Sequence, residues 1–280
     1  MNENAISFLQ RHGMDPASID FAACLEGFRA QMNAGLQGLP GSLPMIPTYV
    51  SPGRQVPQDV PVIVLDAGGT NLRVGLCSLH GADAKVSRCL TMPMPGTLRP
   101  LSREEFLNQI ADLVMPLLES SDHIGYCFSF PAEITPDLDG ICAGFNKEIH
   151  VSDDKGMRVC AELCEALAAR GCKTPVYALI NDTVAALLGG YGSVDTGAYD
   201  GFIGFILGTG VNCCYTESAE KITKLPGLAP GSSMVVNMEA GCYDSFPMGD
   251  FDRNVDARSA IPNDHLYEKM VSGAYFGEIA

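Results

Sequence analysis

The residues of this chain best equipped for chemistry lie within 62–79, where two apolar runs flank Asp66-Ala67-Gly68-Gly69-Thr70-Asn71. Two β-rich runs joined by a glycine-containing turn predict a β-hairpin. Gly68 and Gly69 are expected to take backbone angles closed to other residues and to let a ligand approach the main chain. The amides of such a turn, with the Thr70 hydroxyl, form a nest that binds anions such as phosphate. Asp66 ends the first strand beside that nest, where a carboxylate repels phosphate unless a cation lies between. Mg²⁺ held largely through water suits the place, because it dehydrates reluctantly. The motif alone supports nucleotide binding and an ordinary Asp-Gly-type hairpin about equally.

The elements needed to position these groups follow from periodicity. An amphipathic helix is expected over 18–36, with Phe21, Leu25, Phe28 and Met32 at helical spacing and Gly38 beyond its end. Six prolines over 38–61 make the next stretch an extended linker, whose apolar 45–50 segment packs on a surface. A third strand over 85–94 extends the hairpin into a meander. Ser102 and Glu105 have capping-box spacing ahead of a stripe of Phe106, Ile110, Leu113, Val114 and Leu117, and Pro116 tells against its last turn. A buried strand over 123–130 ends at Ser129-Phe130-Pro131. A helix near 157–170 stops at Gly171. A second buried strand, 176–180, ends at Asn181-Asp182-Thr183, and a short helix over 184–188 stops in Gly189-Gly190. Such alternation implies an α/β layer with ligands outside the carboxyl ends of the strands, where Ser129 and Asp182 sit.

Residues 201–207 and 211–216 then form a second hairpin around Gly208-Thr209-Gly210. This repeats the strand, Gly-Thr turn, strand pattern and suggests two similar lobes gripping a nucleotide's phosphates from two sides. A strand over 234–241 follows. A last helix is expected from near His265 to Ala280, carrying Tyr267, Met270 and Val271 inward with Glu268 beside them.

Composition bounds the function. The chain has 280 residues, 46% hydrophobic and 18% charged, which is globular and long enough for one large or two ordinary domains. No apolar run approaches the ~20 residues that span a bilayer, and the first residues lack the pattern of a signal peptide. The expectation is a cytosolic protein without a membrane partner. A net charge of −15 argues against nucleic acid or an anionic membrane as partner. Any phosphate site must therefore be built from amides, a metal and a few local cations. The eleven cysteines include no C-x-x-C pair and are read as small buried hydrophobes, not as disulfides or metal ligands.

Several stretches together resemble the hexokinase family, of the actin, Hsp70 and sugar-kinase superfamily. They are Leu65-Asp66-Ala67-Gly68-Gly69-Thr70-Asn71-Leu72-Arg73-Val74, Phe128-Ser129-Phe130-Pro131, Asn181-Asp182-Thr183-Val184, Gly208-Thr209-Gly210-Val211-Asn212, Asn237-Met238-Glu239 and Leu266-Tyr267-Glu268-Lys269-Met270. The resemblance spans nearly the whole chain. It implies an α/β, actin-like ATPase (ribonuclease H-like) fold with two lobes around a cleft. Residues 1–58 would be an N-terminal helix and linker packing on the large lobe, 59–190 the small domain, and 191–280 the first part of the large domain. The rest of that domain would lie beyond Ala280, so the resemblance implies a fragment or a natural truncation, with an apolar face left exposed on the second lobe.

The implied activity is transfer of the γ-phosphoryl of Mg·ATP to the 6-hydroxyl of a hexose, glucose or alternatively mannose or fructose, at the entry to glycolysis. ATP and Mg²⁺ are the implied cofactors. By resemblance Asp66 bears on the metal; Gly68, Gly69, Thr70, Asn71 and Arg73 attend the phosphates, with Thr209 and Gly210 from the other lobe. Asp182 matches the catalytic base, with Arg73 and Lys147 as further catalytic groups; residue type alone favours an N-cap for Asp182. Ser129, Phe130, Pro131, Asn146, Lys147, Asn181, Asn212, Glu239, His265 and Glu268 make the implied sugar set. Departures are Asn146 in place of threonine, His265 in place of glutamine and Ala240 in place of a bulky aromatic. A catalytically inactive sugar-binding or regulatory protein is the alternative; a chaperone-type ATPase fits the sugar set poorly.

Overall fold

The computed structural model describes residues 3–51, 57–145, 149–193 and 198–279. The chain divides into two compact units, Met1–Ile46 with Ile203–Ala280 as unit 1 and Pro47–Phe202 as unit 2. Both divisions fall about twelve residues from the sequence boundaries, at 47 against 59 and at 202 against 190.

The N-terminal part of unit 1 begins with α1 (Glu3–Arg11), which the sequence did not signal, and continues into α2 (Phe21–Gln37). Asp20 caps α2 by accepting from the Ala23 amide at 3.0 Å, and Gly38 ends it with φ 70°. The expected apolar face is not buried at its start, since Phe21 and Leu25 stay exposed. Only the last turn sinks in, where Gly35 lies against Leu43 and Met45. The apolar 45–50 segment packs down as expected, with Met45 fully buried and its amide on the Met238 carbonyl. It adds the short strand β1 (Ile46–Pro47).

Unit 2 is built on the expected meander, β2 (Val62–Ala67), β3 (Asn71–His80) and β4 (Asp83–Pro93). Ile63, Leu65 and Ala67 are buried while Val62, Val64 and Asp66 face the other way, the two-residue alternation of a strand with one core face. β5 (Leu101–Ser102) leads into α3 (Arg103–Val114), capped by the full Ser102–Glu105 box and followed by a 3₁₀ turn at Met115–Leu117, where Pro116 ends regular helix. β6 (His123–Phe128), β7 (Ala132–Ile134), β8 (Gly140–Cys142), β9 (Val151–Ser152), α4 (Val159–Ala168) and β10 (Val176–Ile180) follow. The main sheet has the order β10-β6-β2-β3-β4, with β10, β6 and β2 parallel. α3 and α4 cover its inner face through Phe106, Ile110, Val114, Val159, Leu163 and Leu167. The helix after β10, α5 (Asp182–Ser193), runs straight through Gly189 and Gly190, where the sequence predicted a stop. Each glycine costs about 1 kcal/mol in a helix; Tyr191, ring-packed on Phe202 at 4.5 Å, gives a reason to continue.

The remainder of unit 1 holds β11 (Ile203–Leu207), β12 (Val211–Ser218) and β13 (Ser233–Asn237), in the sheet order β1-β13-β12-β11. On the edge strand β11, Ile203, Phe205 and Leu207 are exposed, as an apolar face. α6 (Asp250–Arg258), absent from the sequence expectation, is followed by α7 (Leu266–Val271) and α8 (Phe276–Ile279). The predicted single terminal helix is therefore broken at 272–275, where the Gly273 amide turns to the Gly208 carbonyl at 2.7 Å. The side chain that α7 buries is not the expected apolar trio but Lys269, 1% exposed and paired with Asp256 at 2.7 Å. Among the described residues no helix is long and apolar enough to cross a membrane.

Candidate functional site

In unit 2 the strand register does the positioning. Cys127 of β6 lies opposite Asp66 of β2 on one side and Ile180 of β10 on the other. Two residues on, both β6 and β10 reach their carboxyl ends at Ser129 and Asp182. Asp66, Ser129 and Asp182 thus leave three adjacent parallel strands at the same end. Cys127 records the convergence: its thiol is pushed up to about 12 by burial first, then by the charges of Asp66 and Asp182. Ser129 hydrogen-bonds the same thiol, and its amide donates to the Ala67 carbonyl at 3.1 Å.

The first turn is closed by the Gly68 amide on the Asn71 carbonyl at 3.1 Å. Neither Gly68 nor Gly69 takes a left-handed φ, contrary to expectation. What Gly68 supplies is bare main chain, since a Cβ there would meet only the Asn71 carbonyl at 3.6 Å. Asn71 donates to the Thr70 hydroxyl at 3.1 Å, which fixes two polar groups of the turn. Arg73, opposite Asp66 in the ladder and on the same face, donates to Asp66 Oδ2 at 2.7 Å. Both side chains are about half exposed, so water reaches the pair. One carboxylate open to water beside the uncrowded main chain at Gly68 fits a hydrated Mg²⁺ carrying phosphate oxygens as its other ligands.

Asp182 is the first residue of α5, and the capping that residue type suggested for it falls to Asn181, whose Oδ1 accepts from the Thr183 amide at 2.9 Å. The same amide also donates to Asp182 Oδ1 at 2.8 Å, holding that carboxylate at the helix start. The Phe130 side chain is buried in the core and packs edge-on against Phe145 and Phe128 at 4.9 and 5.2 Å. Pro131 is exposed, its carbonyl taken by the Ala143 amide. Asn146 and Lys147 lie outside the described residues.

In unit 1 the second turn forms as expected, with the Gly208 amide on the Gly210 carbonyl at 2.9 Å and Thr209 exposed at its tip. Gly210 is needed for a close approach, because a Cβ there would stand 2.5 Å from Glu268 Oε2. That oxygen accepts from the Val211 amide at 3.0 Å. Asn212 donates to Asn237 Oδ1 at 2.9 Å and to Glu239 Oε1 at 3.1 Å, and Asn237 adds a 2.7 Å bond to the same Glu239 oxygen. Backbone amides of Cys213 and Ala240 donate to the Asn212 side-chain oxygen Oδ1, which orients the side-chain amide. Glu239 and His265 both sit at left-handed φ, 54° and 51°, a strained geometry that clusters at functional sites. Cys242 ties the group together: burial, then Glu239, Asp264 and Glu268, raise its thiol to about 12.

Two family models, both described as hexokinase, match residues 9–191 and 202–280. The chain belongs to the hexokinase family. Hexokinase-2 and hexokinase-7 of Oryza sativa subsp. japonica are each 34% identical to it over 91% and 92% of the chain. Hexokinase-1 of Nicotiana tabacum is 33% identical over 91%. The hexokinase of Schistosoma mansoni, solved complexed with glucose, superposes with a TM-score of 0.73 at 28% identity over 90% of this chain. The fold is thus the actin-like fold of hexokinases. The chain spans 54% and 59% of the length of the two rice relatives and 60% of the Schistosoma chain.

Three residues escaped sequence reasoning, Cys127 beside the unit 2 carboxylates and Asn237 and Lys269 beside the unit 1 polar set. Cys127 carries no motif and becomes visible only when register sets it between Asp66 and Ile180. Asn237 is a buried amide at a strand end, and a polar residue closing the apolar run 234–236 was its signal. Lys269 was masked by an apolar stripe that read as the inward face.

Proposed function

We propose that the chain is part of an enzyme that moves the γ-phosphoryl of Mg·ATP to the 6-hydroxyl of a hexose such as glucose, mannose or fructose. The observation that carries the reading is Cys127, flanked in the sheet by β2, which carries Asp66, and by β10, which leads into Asp182, and sensing both charges. A phosphate-side carboxylate and a base for an alcohol at neighbouring strand ends suit in-line transfer, which asks mainly for positioning and charge neutralisation.

In this reading Asp66 and the uncrowded turn after it hold the metal–nucleotide phosphates, and Arg73 adds a positive charge beside them. The Mg²⁺ ion would neutralise phosphate charge when bound. Asp182, its Oδ1 fixed by the Thr183 amide, orients the sugar hydroxyl and takes its proton. Ser129 and Asn181 stand at the same strand ends. The polar set of unit 1, Asn212, Glu239 and Glu268, has the composition that a ring of sugar hydroxyls calls for. The Schistosoma relative's glucose complex supports a hexose as substrate. Phosphorylation at the head of glycolysis and a cytosolic setting belong to the same proposal.

Asp182→Asn is the test, because asparagine keeps an oxygen for the Thr183 amide and removes only the charge and basicity. Hexose-dependent ADP formation, measured for the chain and for any longer form of it, should fall by ~10²–10⁴. Hexose affinity should stay within a few-fold. Turnover near the unsubstituted rate refutes the base assignment, and sugar binding with no turnover in either form favours a regulatory protein.

A further inference from the structure

We propose that Cys242, Asp264 and His265 form a binding site for a thiophilic divalent cation, zinc in particular. One ligand atom from each of the three lies within 4.8 Å of the other two. In a tetrahedral zinc site, bond lengths of 2.0–2.3 Å put such atoms about 3.3–3.6 Å apart. The set combines a thiol, an imidazole and a carboxylate, a mixture that suits zinc and not the hard ions Mg²⁺ or Ca²⁺. Three protein ligands leave a fourth position open.

Both loops that carry these ligands are fixed before any ion arrives. The Tyr267 amide donates to the Tyr243 carbonyl at 3.1 Å, tying the segment after His265 to the segment after Cys242. Behind them, Asp256 accepts from the Asn263 amide at 3.0 Å, and buried Lys269 donates to Asp256 and to the Ile261 carbonyl, both at 2.7 Å. His265 is already oriented by Asp264, with Nδ1 and Oδ1 2.8 Å apart. The Cys242 segment turns back on itself through its amide on the Glu239 carbonyl at 3.0 Å. Glu239 and Glu268 add negative charge around the thiol, so a dipositive ion is drawn to the place. Binding forms bonds to Sγ, to an imidazole nitrogen and to a carboxylate oxygen, and the thiol proton leaves to solvent.

Metal binding is read without turnover, so it stands or falls apart from the proposed phosphoryl transfer. The full chain, free of any affinity tag, is titrated with zinc against a chromogenic chelator and with cobalt(II) as a spectroscopic probe. The cobalt complex should show a thiolate-to-metal charge-transfer band that Cys242→Ser abolishes. His265→Gln and Asp264→Asn, both at partly exposed positions, should each weaken zinc by about tenfold or more, the scale of losing even an outer partner of a ligand. The inference is overturned if the unsubstituted chain takes up no zinc, if the band persists in Cys242→Ser, or if His265→Gln and Asp264→Asn leave affinity unchanged.

Discussion

Replacing Lys269 by methionine probes the clamp behind the unit 1 polar set. The two side chains have similar length, so the packing around the stem survives and the loss is electrostatic. Lys269 is 1% exposed and donates two 2.7 Å hydrogen bonds, to Asp256 and to the Ile261 carbonyl. Breaking a buried pair by removing one partner costs about 3–5 kcal/mol, because the other charge is stranded. Asp256 is not wholly stranded: its side chain keeps slight exposure and the Asn263 amide still reaches it. The lower end, about 3 kcal/mol, is therefore expected. Asp256→Asn preserves an acceptor for that amide and removes the charge, so the double variant should recover about 2 kcal/mol of the summed single losses, within the range for coupled neighbours. Urea unfolding of the four proteins, compared at unchanged slope, measures both quantities. A single-variant loss under about 1 kcal/mol, or a double variant that is simply additive, would refute the claim that this pair is desolvated and mutually dependent.

Gly210→Ala should cost about 1.5–3 kcal/mol, because the new methyl displaces the Glu268 carboxylate from its charge-assisted bond to the Val211 amide; Gly208→Ala, with open space at its Cβ, should be nearly neutral in the same urea unfolding. Phe130→Ala should lose about 3–5 kcal/mol of stability, as for a core aromatic, and loss of hexose affinity at unchanged stability would restore Phe130 to the sugar set. Burial pushes the Glu162 carboxyl up, but hydrogen bonds from Arg103 outweigh it and leave the group below its usual range. A lowered folded value means stability present above the unfolded carboxyl range near pH 4.5 and lost as pH falls through the folded value. The stability gap between the protein and Glu162→Gln, about 1 kcal/mol at neutral pH, should therefore close on acidification below that range; a gap independent of pH counts against the pair.

Much of this molecule could be read from local signals. The two hairpins announced themselves through apolar runs around Gly68-Gly69-Thr70 and Gly208-Thr209-Gly210, and the Ser102–Glu105 box marked its helix start. Each depends on chemistry within a few residues. What stayed hidden depends on distant partners. α5 continues through Gly189 and Gly190 although propensity said stop, and Tyr191 packs on a ring eleven residues later. Phe130, which the resemblance put in the sugar set, packs into the core against Phe145, fifteen residues on. The terminal helix breaks because Gly273 finds a hydrogen bond on the second turn. The polar positions Asp66, Ser129 and Asp182 were legible as strand-end residues, but their convergence needed the strand order and register.

That register makes the five-stranded sheet a ruler for everything built on its end. A residue inserted into the middle of β6 would turn every side chain beyond it onto the opposite face, burying Cys127 or Ser129 among Tyr126 and Phe128's neighbours and lifting an apolar ring into the open. Insertions in the connections before His123 or after Ser129 carry no such penalty. Length variation among natural relatives of this chain should accordingly gather in the connections and spare the strands, a pattern that sequence collections can display without any assay.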